Sequence, residues 1–181
     1  MYWSSSNDFT EAMYYRLAQA VSFSNSFIKN ASELSGDEVN VFIAEARFLR
    51  AYAYYNLLDL YGNVPLTTEI STELPTQSNR TELFNFIESE LMEIESILLA
   101  SNEYGRVDNV AAHALLSRLY LNAEAWTGQD RYADCITYSQ NVINSGYTLN
   151  MNDANGNGTA YDELFMACLL YTSDAADDMQ C

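Results

Sequence analysis

The sequence predicts an all-α protein in which tetratricopeptide-like helix pairs pack as an α-solenoid. Residues 39–60 contain neither Pro nor Gly and carry apolar side chains on nearly every helical face, which is typical of a long helix enclosed by others. Four further segments have the apolar period of helices. The last two of these are joined by a very short turn and together approach the 34-residue tetratricopeptide period, at which helix pairs stack.

The first predicted helix runs from Asp8 to Lys29. Asp8 and Glu11 supply a carboxylate-led N-terminal cap. Residues 30–36 form a polar loop into the next helix, so the two helices are expected to form one hairpin. The apolar residues that recur at helical spacing are Phe9, Met13, Leu17, Ala20, Val21, Phe27 and Ile28.

The second predicted helix, residues 38–61, is the element around which the others pack. Ser35 and Glu38 have the spacing of a capping box, in which two side chains satisfy the first backbone N–H groups reciprocally. Gly62 and then Pro65 indicate where the helix ends. Because the helix is apolar all round, we expect neighbouring helix pairs to cover it all round.

Two arginines, Arg47 and Arg50, interrupt this apolar surface. A buried guanidinium without a partner is very costly. We therefore predict that both are structural buried charges that pair with Asp or Glu from neighbouring helices and fix their register. Binding of an anionic ligand is the alternative interpretation.

The remaining elements follow a connector over residues 62–79, which contains both prolines and is predicted to be extended. Helices are predicted over Thr81–Ala100, Asp108–Trp126 and Asp130–Ser145. The third helix carries acidic residues that we expect to face solvent. These are Glu82, Glu88, Glu90, Glu93 and Glu95.

Several segments together resemble the SusD/RagB family of surface glycan-binding lipoproteins. The string AEARFLRAYAYYNLLDLYGNVPL, residues 44–66, is similar to the signature helix of that family. The strings RTELF, YGRV and VINSGY follow in the expected order. The resemblance covers about residues 3–167 and is closest to the starch-binding branch. The family is built on tetratricopeptide-like pairs, so it implies the same fold as the periodicity.

The resemblance implies a non-catalytic function in nutrient uptake. The protein would bind starch, maltooligosaccharide or a related polysaccharide and deliver it to a SusC-like, TonB-dependent outer-membrane transporter. It would lie at the surface of the outer membrane, attached only through a lipid anchor, and would need no cofactor. The alternative is a tetratricopeptide-like protein interaction module without sugar binding, which has the same periodicity.

The N-terminal segment is the predicted glycan contact, through Tyr2, Trp3 and Asn7. Sugars present flat C–H faces that stack on aromatic rings, and an amide side chain can bond their hydroxyl groups. The resemblance implies that one group of aromatic contacts lies shortly before the first helix. The alternative is that Trp3 is a former core residue.

Composition and motifs argue against other classes of protein. A net charge of -17 repels phosphate backbones, so no nucleic acid partner is expected. His113 is the only histidine, which excludes multi-histidine metal sites, and a packing role is expected for it. No nucleophile elbow, P-loop or dinucleotide fingerprint is present. The sequence therefore predicts no enzyme.

A weak calcium candidate lies at Asp153, Asn155 and Asn157, which alternate as in the first half of a calcium-binding loop. The second half departs from that pattern because its twelfth position is Leu164. An Asn- and Gly-rich surface loop explains the composition equally well, and otherwise no metal is predicted.

The two ends of the chain carry separate expectations. The first residues lack the basic and then apolar pattern of a signal peptide, which for a chain resembling lipoproteins implies truncation. Residues 1–167 are therefore predicted to be a fragment of one SusD-like helical domain. Residues 168–181, CLLYTSDAADDMQC, do not continue the preceding pattern and are predicted to be a non-native, adapter-derived tail.

Overall fold

The computed structural model describes residues 7–149, 151, 153, 156 and 158. Residue contacts divide the chain into two units, Met1–Ser145 and Gly146–Cys181. Every helix and strand in the described residues belongs to the first unit. The predicted boundary between residues 167 and 168 lies outside the described residues and stays a prediction.

Helices account for most of the described part, as predicted for the all-α class. The α1–α2 and α4–α6 pairs have the most extensive helix contacts, as expected of tetratricopeptide-like pairs. Within the described residues, no helix combines the length and hydropathy that crossing a bilayer requires. The elements in chain order are α1 (Asp8–Ala31), α2 (Asp37–Tyr61), β1 (Val64–Pro65), β2 (Gln77–Ser78), α3 (Arg80–Ile94), α4 (Asn109–Leu121), α5 (Ala123–Thr127) and α6 (Tyr132–Ile143).

Helix α1 begins where the sequence predicted, but its cap is different. The Asn7 side-chain oxygen accepts hydrogen bonds from the backbone N–H groups of Phe9 and Thr10, at 3.1 and 3.3 Å. Asp8 and Glu11 instead lie in the first turn, where the helix dipole favours negative charge. The predicted carboxylate-led cap is therefore wrong, because the amide one residue earlier fills that role.

Helix α2 has the predicted end and an unpredicted start. Its N-cap is Gly36, at φ 141°, and no side chain caps the helix, so the capping box predicted from Ser35 and Glu38 is wrong. This positive φ favours glycine over residues with a side chain. At the other end Gly62, at φ 76°, donates its N–H to the Leu58 carbonyl at 3.0 Å, which confirms the predicted stop.

The hydrophobic core lies between α2, α3 and α4. One flank of α2 is nevertheless open, with Leu49, Tyr52 and Leu60 exposed. Within the described residues, the expectation that neighbours cover α2 all round is therefore wrong. The largest fully buried side chains are Tyr54, Leu58, Leu83, Ile87, Leu91, Ile94, Leu116, Leu119 and Tyr120.

The later helices are shorter than predicted. Helix α3 starts with a capping box, in which Asn79 and Glu82 bond each other's backbone N–H groups, and it ends at Ile94. The single helix predicted over 108–126 is broken at Asn122 into α4 and α5. The Asn122 side-chain amide donates to the Arg118 carbonyl at 3.0 Å, a local bond that competes with helix continuation.

The predicted connector between α2 and α3 contains β1 and β2, which pair antiparallel. Its first part is tied to the helices because the Tyr54 hydroxyl donates to the Thr67 carbonyl at 3.0 Å and accepts from the Thr67 N–H at 2.8 Å. The Asn25 side-chain amide donates to the same carbonyl at 3.0 Å. Residues 68–77 beyond these bonds are exposed.

Candidate glycan-contact site

An open aromatic pocket of about 440 Å³ lies where the start of α1 meets the end of α2. The short loop between these helices makes them antiparallel, so residues 10–15 come beside Tyr61. This places three tyrosine rings together at one end of the hairpin. The pocket is lined by Thr10, Glu11, Tyr14, Tyr15 and Tyr61.

Two of the tyrosines form a fixed wall of the pocket. The rings of Tyr14 and Tyr61 meet edge to face, with centroids 5.3 Å apart and planes at 82°. The Tyr61 hydroxyl donates to the Thr10 carbonyl at 2.6 Å. Burial raises the pKa of Tyr61 above its ordinary value. Both rings are therefore held before any ligand arrives.

The third tyrosine offers its ring to solvent. Tyr15 is 62% exposed and touches the edge of Tyr14, with centroids 6.1 Å apart. An exposed ring can stack against the C–H face of a sugar, and the Glu11 carboxylate beside it can accept hydrogen bonds from sugar hydroxyls. The pocket therefore suits a neutral polyhydroxylated ligand.

The predicted contact residues lie next to this pocket in the sequence, and one of them is described. Asn7 caps α1, and its side-chain oxygen accepts from the Thr10 hydroxyl at 3.5 Å, so it adjoins a pocket residue. Tyr2 and Trp3 lie outside the described residues. The glycan-contact role of all three stays a prediction.

The sequence reasoning missed the pocket tyrosines Tyr14, Tyr15 and Tyr61. A signal was present, because adjacent tyrosines near the start of one helix and a tyrosine at the end of the next meet when the helices form an antiparallel hairpin. That hairpin was predicted, but the two tyrosine positions were not combined.

The arginines of α2 share one buried carboxylate. Arg50 is buried, and its guanidinium donates to Glu90 at 2.5 and 3.1 Å and to the Asn25 side-chain oxygen at 2.8 Å. Arg47 donates to Glu90 and to Glu93, each at 2.6 Å. Burial alone would lower the pKa of Arg47, but its hydrogen bonds to both carboxylates raise it. The expectation that the acids of α3 face solvent is wrong for Glu90, which is buried.

The only histidine in the sequence lies on α4 and contacts residues at the end of α3 and on α6. His113 Nε2 is 3.7 Å from a Glu95 carboxylate oxygen, and its ring lies 5.6 Å from that of Tyr138. Burial raises the pKa of Tyr138. The contacts fit the packing role expected for this histidine.

The calcium candidate is described only in part. Asp153 accepts a hydrogen bond from the Gly158 N–H at 2.8 Å, while Asn155 and Asn157 lie outside the described residues. Among the residues that the structure does describe, no three His, Cys, Asp or Glu side chains gather as a metal site would need. Calcium binding at this loop stays a prediction.

Comparison with known proteins identifies close relatives. Residues 2–121 match the model of a SusD-like family described as starch-binding and associating with the outer membrane. The starch-binding protein SusD of Bacteroides thetaiotaomicron is 39% identical over 167 residues, which cover 91% of this chain and 29% of SusD. The chain thus spans less than a third of the length of that relative.

Solved structures have the same fold. A SusD superfamily protein from Parabacteroides distasonis superposes with a TM-score of 0.74 and 29% identity, over 81% of this chain and 34% of that protein. A structure solved with a xylogluco-oligosaccharide has a TM-score of 0.74 and 25% identity, over 81% of this chain and 32% of the other. The family model, the identity to SusD and the shared fold agree, and the chain belongs to the SusD-like family.

Proposed function

We propose that this chain is part of a non-catalytic, surface-exposed protein that binds starch, maltooligosaccharide or a related polysaccharide. The observation that carries the proposal is the 39% identity to a starch-binding protein along 91% of the chain. Family membership alone leaves the glycan open, because a structural relative was solved with a xylogluco-oligosaccharide. The extent of the match to SusD favours starch.

The aromatic pocket at the start of α1 is the proposed contact within the described residues. Tyr15 is the stacking platform, and it contacts Tyr14, which in turn packs against Tyr61. The predicted contacts Tyr2, Trp3 and Asn7 precede the same helix and would extend the platform. Each ring adds a small contribution, so the affinity per sugar unit is low and longer oligosaccharides bind better.

The bound glycan would then pass to a SusC-like, TonB-dependent transporter. The family's association with the outer membrane supports this location. A lipid anchor on the whole protein would hold it at the cell surface. Affinity purification of the whole protein from outer membranes should recover a TonB-dependent transporter. Recovery without any such transporter would contradict the delivery step.

Titration calorimetry with maltoheptaose tests the glycan-binding proposal. We expect measurable heat with the unaltered chain, and binding that is about two- to tenfold weaker in Tyr15→Ala because one stacking contact is lost. Tyr104→Ala is the matched control, because Tyr104 is 84% exposed and does not line the pocket. Absence of heat at millimolar sugar, or equal weakening by both variants, would contradict the proposal.

The second candidate is a protein interaction module, and one observation favours it. An apolar groove of about 790 Å³ runs between α1 and α2, bordered by Phe23, Phe27 and Leu49. Amphipathic helices bind in such grooves. A module of this kind would bind peptides with no response to sugar, which the same calorimetry distinguishes.

A further inference from the structure

A small polar pocket lies where the first turns of α3 face the turn between α5 and α6. Its volume is about 200 Å³. The left-handed Gly128 (φ 76°) ends α5 and lets the chain reverse towards α6 at this point. We call this the α3–α5 pocket. It is lined by Thr81, Phe84, Asn85, Thr127, Gln129 and Arg131.

The walls of the α3–α5 pocket are firmly held. The Thr127 hydroxyl donates to the Ala123 carbonyl at 2.8 Å and accepts from the Gln129 N–H at 3.1 Å, which fixes the turn. The Arg131 guanidinium lies over the Tyr120 ring, 4.6 Å from its centroid. Phe84 is buried and closes the floor.

Three polar side chains at the rim of the pocket can form hydrogen bonds with a ligand. Thr81 and Asn85 lie one helical turn apart on α3, so they share a face. Gln129 faces them from the turn. All three side chains are exposed, and together they offer hydrogen-bond donors and acceptors.

The charges of the pocket select the class of ligand. Arg131 donates to Glu88 at 2.8 Å and to Asp134 at 2.5 Å, so two carboxylates offset its single positive charge. An anion would therefore meet a net negative surrounding. The lining itself holds no carboxylate that a metal ion would require. A neutral ligand rich in hydroxyl groups is the class that fits.

The volume limits the size of that ligand. Pockets for drug-sized molecules are about 300–1,000 Å³, and a water molecule occupies about 30 Å³ of liquid. The 200 Å³ of the α3–α5 pocket therefore admits one small ring and excludes a folded oligomer.

We propose that the α3–α5 pocket is a second subsite, separate from the tyrosine pocket, which holds one neutral sugar ring through Asn85, Gln129 and Thr81. The preference for a neutral polyol comes from the pocket's own charges, whereas the choice of a sugar rests on the proposed function. A subsite of this kind adds a second weak contact for one polysaccharide chain, which raises avidity without a tight site.

Side-chain amide resonances of the ¹⁵N-labelled 181-residue chain test this proposal directly. Titration with maltose should shift the amide signals of Asn85 and Gln129, and inorganic phosphate should leave them in place. In Asn85→Ala, we expect the maltose affinity reported by Gln129 to fall about two- to tenfold, as for loss of one hydrogen bond. Asn85 is exposed on a helix, so the variant should keep the fold, which circular dichroism checks.

Gln140→Ala is the matched control, because Gln140 is an exposed amide on α6 that bonds Asn144 and lies outside the pocket. It should leave the Gln129 response unchanged. Shifts around Tyr15 without shifts at Asn85 and Gln129 would overturn this inference alone. Absence of shifts at both sites would overturn the proposed function as well. Larger shifts with phosphate than with maltose would reject a neutral ligand.

Discussion

Helix α2 has two long sides that carry similar side chains and differ sharply in burial. On the side facing α3, Leu58 is 1% exposed. On the flank beside α1, Leu49 is 52% exposed and lines the open groove with Phe23 and Phe27. The difference shows that an apolar pattern predicts a helix that needs covering, whereas burial depends on whether a partner helix lies against each face.

The closed side of α2 also contains charge. Glu90 accepts hydrogen bonds from both Arg47 and Arg50, and Asn25 of α1 bonds Arg50. Because each charged group there has partners, the desolvation penalty is offset. On the open side, the charged residue that lines the groove is Glu45. It lies at the margin, where it accepts hydrogen bonds from Asn102 and Arg106, and it is not part of a buried network. The two sides should therefore respond very differently to substitution.

The largest effect is expected at the buried carboxylate. Glu90→Gln keeps the shape but leaves Arg50 buried without a carboxylate, which should lower the free energy of unfolding by about 3–5 kcal/mol. Urea denaturation measures this. The control Glu93→Gln removes the exposed partner of Arg47 and should cost less than about 1 kcal/mol. Similar losses from the two variants would mean that the buried Arg50–Glu90 pair contributes no more to the free energy of unfolding than the exposed pair.

A direct comparison of the two sides uses one residue type on one helix. Leu58→Ala should lower the free energy of unfolding by about 2–5 kcal/mol because it leaves a cavity in the core. Leu49→Ala removes a half-exposed side chain and should change it by about 0.5 kcal/mol. Equal losses in denaturant unfolding would show that the groove is closed in solution.

The alkaline pH dependence of stability probes the core between α3 and α4. Burial and the hydrogen bond to Glu88 raise the pKa of Tyr120 above its ordinary value of about 10. The stability due to this shift is fully present below about pH 10 and is lost as pH rises towards the folded-state pKa. Tyr120→Phe should cost about 1 kcal/mol at neutral pH and flatten the alkaline loss. An unchanged slope in unfolding experiments across this range would contradict the assignment.

The smallest effect on stability is expected on the open side. Phe23→Ser shortens an exposed groove residue, so the free energy of unfolding should change by about 0.5 kcal/mol or less. Binding of a hydrophobic fluorescent dye should nevertheless fall, because the groove loses apolar surface. The same substitution at the exposed Tyr104, away from the groove, serves as a control. Undiminished dye binding would place the accessible apolar surface elsewhere.

Much of the fold was predictable because local signals and packing agreed. The spans of α1 and α2 followed from apolar periodicity and from the glycine stop at Gly62. The break at Asn122 was missed because one side-chain bond to the Arg118 carbonyl decided it, and composition does not reveal such a bond. The burial of Glu90 was missed because its arginine partners lie 40 and 43 residues earlier in the chain.

The candidate sites depended still more on tertiary structure. A tyrosine pocket needs the ends of two helices to meet, and the α3–α5 pocket needs the turn after Gly128 to face the start of α3. Of the predicted contact residues, Asn7 adjoins the first pocket through its bond with Thr10, and its contact role stays a prediction. Sequence reasoning gave no indication of the second pocket, whose residues Asn85 and Gln129 carry no recognisable motif.

The connector between α2 and α3 is held at Thr67 by hydrogen bonds from Tyr54 and Asn25, which has a practical consequence. Its exposed arc, residues 69–76, leaves and re-enters the fold between bonded points, at Thr67 on one side and at the β1–β2 pairing on the other. Chain added within that arc need not disturb the helices, because surface loops closed at their base tolerate extra length at low entropic cost. An affinity tag or a dye-bearing cysteine placed there would label the protein while both pockets stay untouched.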